Sequence, residues 1–126
     1  MKITAFNPLI IAKDPEKTVK LFEELGFERK HNKTGIHDGT VSAFDLKHPD
    51  GYRIDIVKAP VPQDITTIRI SVRDFDEAYK FLLEKGFKDI NNGQITDTGT
   101  SKATMLAAPS GFLFSLSQHI REEDKQ

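Results

Sequence analysis

Apolar residues follow two periods along this chain. Thr18/Val19, Leu21/Phe22 and Leu25 recur at helical spacing, as do Ala78/Tyr79 and Phe81/Leu82. Elsewhere apolar and polar positions alternate, as in strands: Pro8, Ile10 and Ala12 oppose Asn7, Leu9 and Ile11, while Ile68, Ile70 and Val72 oppose Thr67, Arg69 and Ser71. The pattern predicts first strands over Asn7–Ala12 and Thr67–Val72, each leading into a helix. Asp14 and Asp74 stand at the N-cap positions. Pro15 follows at the first helical position, and Asp76 with Glu77 suits the positive end of the second helix. Gly26 and Gly86 supply left-handed C-caps, and Phe27 and Phe87 supply the apolar contact that accompanies them.

Three shorter strands are expected after each helix. The first pair lies near Glu28–Asn32 and Lys88–Asn92, within or beside polar, turn-rich stretches (His31 to Gly39 and Asn91 to Gly99). The next are Thr40–Leu46 and Lys102–Ala107. Tight turns at Pro49-Asp50-Gly51 and Pro109-Ser110-Gly111 then feed Tyr52–Val57 and Phe112–Ser117.

The order repeats because the sequence repeats. At an offset of sixty residues, identical pairs include Ile10/Ile70, Asp14/Asp74, Gly26/Gly86, Phe27/Phe87, Leu46/Leu106, Pro49/Pro109 and Gly51/Gly111. An arbitrary gapless overlay would give roughly three or four identities in all. One supersecondary unit therefore occurs twice. The expected fold class is α+β: two tandem β-α-β-β-β modules forming a curved mixed sheet around a cleft. The expected organisation is one domain over 1–119, with module one at about 1–58, a Pro-containing linker at about 59–65, module two at about 66–119, and a charged tail over 120–126.

Alternation also assigns faces. Ile54 and Ile56, with Phe112, Phe114 and Leu116, are expected under the helices. Arg53, Asp55 and Val57, with Leu113, Ser115 and Ser117, take the opposite face. Arginine and aspartate are rarely buried without partners, so that face should be mixed in polarity, as a small-ligand pocket is.

Composition narrows the function. The chain has 126 residues, 37% hydrophobic and 29% charged, with a net charge of −1. Neither nucleic acid nor an anionic membrane is an expected partner. Cysteine is absent, which excludes disulfides, thiolate metal sites and cysteine nucleophiles and suits a reducing cytoplasm. No signal peptide is expected, since the N-terminus lacks a charged region followed by a long apolar run, and no membrane span, since no apolar run approaches the twenty or so residues a transmembrane helix needs.

Candidate chemistry is sparse. His31, His37, His48 and His119 lack helical i, i+4 partners and are read as surface residues, although His37-Asp38 could pair a base with a carboxylate. Asn92-Gly93 and Thr98-Gly99-Thr100 are read as turns rather than phosphate cradles. Asp55 sits on the same predicted face as Arg53, and Arg69 offers a bidentate donor to a carboxylate or phosphate, flanked by Thr67 and Ser71.

The doubled unit resembles the vicinal oxygen chelate superfamily from about Ile3 to Gln118. The residues that carry the likeness are Asp14…Leu25-Gly26-Phe27, Asp74…Lys85-Gly86-Phe87 and the Pro-x-Gly turn before each last strand. That superfamily holds glyoxalases, extradiol dioxygenases, fosfomycin-resistance enzymes and bleomycin-binding proteins. The resemblance implies a divalent metal held from four corners by His, Glu or Gln. The matching positions here are Asn7, Asp55, Thr67 and Ser115, which depart from that pattern except, in part, Asp55. One carboxylate and no imidazole falls short of a catalytic metal site. The expectation is thus a small-molecule-binding protein with no metal and no cofactor, using Asn7, Arg53, Asp55, Thr67, Arg69 and Ser115 on a small organic ligand, anionic or aromatic. Relatives also lead to the expectation of a homodimer. The alternative is a metal-dependent lyase, isomerase or dioxygenase with an atypical site built on Asp55, with His37 or His119 recruited.

Overall fold

The computed structural model describes residues 1–36, 41–90, 96–97 and 101–119, with side chains at 1–30, 43–90 and 102–118. The chain divides into two compact units. The first is Asn7–Thr67, and the second combines Met1–Phe6 with Ile68–Gln126.

The first unit takes strand β1 (Ile3–Ala12) from Asn7 onward. Helix α1 (Pro15–Glu24) and strands β2 (Glu28–Ile36), β3 (Val41–Lys47) and β4 (Arg53–Lys58) follow. The strands lie in the order β2-β3-β4-β1. β1 runs parallel to β4, with Leu9 beside Asp55 and Ile10 beside Ile56, and the β2·β3 and β3·β4 pairs are antiparallel. The core under α1 consists of Ala12, Val19, Phe44, Leu46, Ile54 and Ile56, flanked by Ile10, Phe22 and Phe27. A ten-residue helix is marginal alone. Each fully buried aliphatic or Phe side chain is worth about 1.5–3 kcal/mol, so packing, not propensity, holds α1 in place.

Its C-terminus is closed by the backbone. Gly26 N–H donates to Glu23 O and Phe27 N–H to Phe22 O, both at 3.0 Å, with Gly26 at φ 104°. The Phe22 and Phe27 rings meet edge to face at 5.5 Å. These are the paired bonds and apolar contact of a Schellman motif.

The second unit repeats this plan with β5 (Ile65–Val72), α2 (Phe75–Glu84), β6 (Lys88–Asp89), β7 (Thr96–Asp97), β8 (Ser101–Ala107) and β9 (Leu113–His119). Its order is β5-β9-β8-β6, with β7 also on β8, and β5 is parallel to β9. The core is Ile70, Val72, Phe75, Ala78, Leu82, Leu106 and Leu116, with Tyr79, Phe87 and Phe114 against it. Phe87 N–H donates to Leu82 O and Gly86 N–H to Leu83 O, repeating the α1 terminus bond for bond. The first residues of the chain serve this unit: Arg73 N–H donates to Lys2 O at 3.0 Å.

The α+β class and the doubled β-α-β-β-β order are as expected, with mixed strand directions in each unit. Several details differ. β1 begins at Ile3 rather than Asn7, because Lys2 finds a pairing partner at Arg73. β2 runs on to Ile36, so His31 stands in a strand opposite Asp45 and not in a loop. β6 stops at Asp89, and β7 forms within the stretch expected to be turns. Phe112 is half exposed instead of core, with its ring against Phe87 and Phe114. Leu21, Leu25 and Phe81 also face outward, so the buried helix stripe is narrower than the apolar pattern. Asp14 makes no side-chain cap bond, whereas Asp74 accepts one from Glu77 N–H at 3.1 Å.

Candidate functional site

The face of the first unit opposite α1 is organised around Asp55. β4 lies between β1 and β3, so Asp55 has a strand on either side and is only 6% exposed. A carboxylate in that position needs hydrogen bonds. Asn7 supplies one: its Nδ2 donates to Asp55 Oδ2 at 2.8 Å and to Pro8 O, also at 2.8 Å. Asn7 is 5% exposed. Thr67 is buried as well, and its hydroxyl donates to Leu9 O at 3.1 Å. The structure thus brings Asn7, Asp55, Leu9 and Thr67 together within one unit. It adds Asp45, the cross-strand partner of Asp55 on β3, half-buried and on the same face. The sequence reading omitted Asp45. Counting back through the Pro49-Asp50-Gly51 turn would have paired it with Asp55.

The corresponding face of the second unit carries different chemistry. Arg69 is in register with Ser115, and Ser71 with Ser117. The two latter hydroxyls lie 2.8 Å apart, and Ser71 is buried. Met105 stands beside Ser115 on β8. Gln118, the next residue on β9, turns to the helix side, where its Oε1 accepts Phe75 N–H at 2.7 Å and closes the start of α2. Arg69 and Ser115 are half-buried. The duplicate positions have therefore diverged: Leu9 and Asp55 in one unit correspond to Arg69 and Ser115 in the other.

Arg53 differs from the other candidates. It opens β4 opposite Lys47 and is exposed, so its alternation with Asp55 does not bury it. His48 is structural: its Nδ1 accepts Asp50 N–H at 3.0 Å, and its ring meets Phe27 at 5.3 Å and Tyr52 at 5.6 Å. His37 lies outside the described residues. His119 pairs with Ser101 in the β8·β9 ladder. Asn92-Gly93 and Thr98 to Thr100 also lie outside the described residues.

On the α1 side, a cavity of about 580 Å³ opens between Lys13, Lys17, Lys58 and Phe44. Its charged rim is exposed, and none of the six candidate residues lines it. Two further polar clusters tie outer strands to helices. Arg29 on β2 reaches Glu16 and Glu23 of α1 at 3.1 and 3.2 Å, and these bonds raise its pKa, with Glu23 the largest cause. At the matching position on β6, Asp89 accepts from Tyr79 of α2 at 2.9 Å and from Thr104 at 3.1 Å. Both clusters pin strand to helix, with opposite charge.

The donor set does not fit a catalytic metal. Asn7 directs its nitrogen, not its oxygen, at Asp55, and Thr67 directs its hydroxyl at a carbonyl. Among the described residues, no group of three His, Cys, Asp or Glu could hold a metal ion. Three good donors are the usual minimum.

Known proteins match this architecture. The model of the Glyoxalase/Bleomycin resistance protein/Dioxygenase superfamily matches residues 3–116. No curated protein matches the chain significantly. Among solved structures, methylmalonyl-CoA epimerase from Mycobacterium tuberculosis superposes with a TM-score of 0.72 at 14% identity, covering 98% of this chain and 93% of that one. The Streptomyces coelicolor methylmalonyl-CoA epimerase in complex with 2-nitronate-propionyl-CoA gives 0.66 at 18% identity, covering 94% and 96%. Glyoxalase I from Zea mays gives 0.66 at 20% identity, covering 94% of this chain and 44% of that longer one. At these identities the likeness is one of fold. No described helix is long and apolar enough to cross a membrane.

Proposed function

Because this chain belongs to the Glyoxalase/Bleomycin resistance protein/Dioxygenase superfamily, we propose that it is a small-molecule-binding member that works without a catalytic metal. The residues proposed to hold the ligand are Asn7, Arg53, Asp55, Thr67, Arg69 and Ser115. One observation carries the reading: the carboxylate at the family's metal-ligand position is hydrogen-bonded to an amide instead of being offered with imidazoles to a cation. Arg69 and the nearby hydroxyls supply donors of the kind that orient an organic ligand. The relatives named above act on small organic molecules, which agrees with the ligand class but leaves its identity open.

Equilibrium dialysis and thermal-shift screening over small carboxylates, amines and drug-like aromatics should find a stabiliser. Arg69→Ala or Asp55→Ala should weaken it. Elemental analysis after gentle purification is the decisive control. Stoichiometric zinc, iron, manganese or nickel that disappears in Asp55→Ala would replace this reading with a metal-dependent enzyme. We also propose a cytoplasmic homodimer, checked by fractionation and by sedimentation equilibrium.

A further inference from the structure

We infer that the ligand carries an acceptor oxygen, as a carbonyl or a carboxylate, and that the paired hydroxyls of Ser71 and Ser117 donate a hydrogen to it. This rests on the binding reading above and adds two residues and the ligand's hydrogen-bonding polarity.

Two hydroxyls bring two donor hydrogens, and their mutual contact uses one. Ser71 Oγ and Ser117 Oγ lie 2.8 Å apart, with either able to donate. Neither makes another hydrogen bond among the described residues. Whichever hydroxyl donates, the hydrogen of the other is left without an acceptor. Ser71 is only 3% exposed, and Ser117 beside it is half-buried, so the pair meets its surroundings through Ser117. An unmet donor in so sheltered a place is costly, and an incoming acceptor oxygen removes that cost.

Cross-strand serine pairs can serve simply to join strands. The first unit shows that the fold does not need this one. Its matching ladder row is Ile11, Val57 and Ala43, in register across β1, β4 and β3. Sixty residues on, the row is Ser71, Ser117 and Ala103, in register across β5, β9 and β8. One row is closed by branched apolar side chains, and the other by two shorter, hydroxylated ones. Ile70 and Leu116, the alternating neighbours, are core under α2, so the serines stand on the face away from the helix. In the adjacent row of that face, Arg69, Ser115 and Met105 are half-buried. Arg69 and Ser115 already have partners, so the feature that distinguishes this face is the spare hydroxyl hydrogen and not a free charge. Ala103 and Met105 flank it with apolar surface for a ligand's skeleton.

The test uses the full chain and four probes of similar size: 3-phenylpropanoate, 4-phenylbutan-2-one, 2-phenylethylammonium and propylbenzene. Binding is followed by protein-detected NMR at the Ser71 and Ser117 backbone amides and by thermal shift. The propanoate and the ketone should bind saturably and move those amides, with the ammonium and the hydrocarbon roughly tenfold weaker. A tighter propanoate identifies the acceptor as a carboxylate, and a tighter ketone identifies a carbonyl. Ser71→Ala/Ser117→Ala should abolish the preference for the two oxygen probes and leave propylbenzene unchanged, whereas each single variant keeps one hydroxyl and loses less. A pair that only joins strands would lower the unfolding midpoint in the double variant and keep the order of the probes, which overturns the proposal. Equal binding of all four probes by the parent protein also overturns it, and that comparison needs no variant to fold. Failure of both oxygen probes overturns it too, while the binding reading stands if the broad library yields a stabiliser. If no library member binds, both fall.

Discussion

Asn7 Nδ2 lies 2.8 Å from Asp55 Oδ2, linking β1 to its parallel neighbour β4 through two side chains that are both buried. A charge-assisted bond of this kind is worth more than a neutral one, and removing one partner strands the other. Asn7→Ala should therefore destabilise the fold by about 1–3 kcal/mol in urea unfolding. In the Asn7→Ala/Asp55→Ala cycle, the coupling should fall within roughly 0.5–3 kcal/mol. Additive losses would mean that the two residues do not act as a pair.

The two helix starts make a sharper comparison, because both carry aspartate at the same repeat position. Asp74 accepts Glu77 N–H, while Asp14 makes no cap bond. At α1 the first helical residue is Pro15, which brings no N–H to satisfy. At α2 the first residue is Phe75, whose N–H is taken by Gln118. Asp74→Ala should cost about 1 kcal/mol, and Asp14→Ala only a few tenths, from the helix dipole and the exposed 4.0 Å ion pair with Lys17. Equal losses in thermal unfolding would show that sequence position, rather than the observed bond, sets the cap's value.

Local geometry was legible in the sequence, and pairing at a distance was not. Gly26, Gly51, Gly86 and Gly111 all take positive φ, and the turns they make are where the repeat placed them. Such positions announce themselves because few other residues tolerate that backbone. The polar face was legible to one step: alternation put Asp55 opposite the Ile54/Ile56 face, and both isoleucines are core. What escaped depends on remote partners. The strand extension over Ile3–Phe6 needs the partner segment that ends at Arg73. Asp45 joined the site only once the β3·β4 register was fixed. Phe112 carries an apolar signal but sits in the turn, where aromatic neighbours shelter one side of it and leave it half exposed.

The glycines also separate two costs that usually travel together. Gly86 and Gly111 share nearly the same φ, 97° and 110°. A Cβ at Gly86 would sit 3.0 Å from Pro109 Cγ, whereas one at Gly111 would meet nothing within 4 Å. Both alanine variants carry backbone strain of about 1–3 kcal/mol. Gly86→Ala should cost more than Gly111→Ala, because the proline ring must also move. Chemical denaturation of the two variants measures the difference, and a larger loss at Gly111 would contradict the packing described.

The Tyr79–Asp89 bond gives a pH signature. Its hydrogen bond to Asp89, then burial, then the charge of Asp89 all hold the Tyr79 phenol above its ordinary value of 10.0. The folded state therefore keeps the proton more tightly than the unfolded chain. The resulting stabilisation is complete below about pH 10 and is lost as pH rises through the folded-state value. The chain has two tyrosines, so Tyr52→Phe leaves Tyr79 as the only phenol for ultraviolet difference titration. In that background the phenol should titrate above pH 10, and Asp89→Ala should return it towards the ordinary value. Unfolding free energy should also fall more steeply above pH 10 in the parent than in Tyr79→Phe. Parallel pH profiles for those two proteins would show that Asp89 does not engage the phenol in solution.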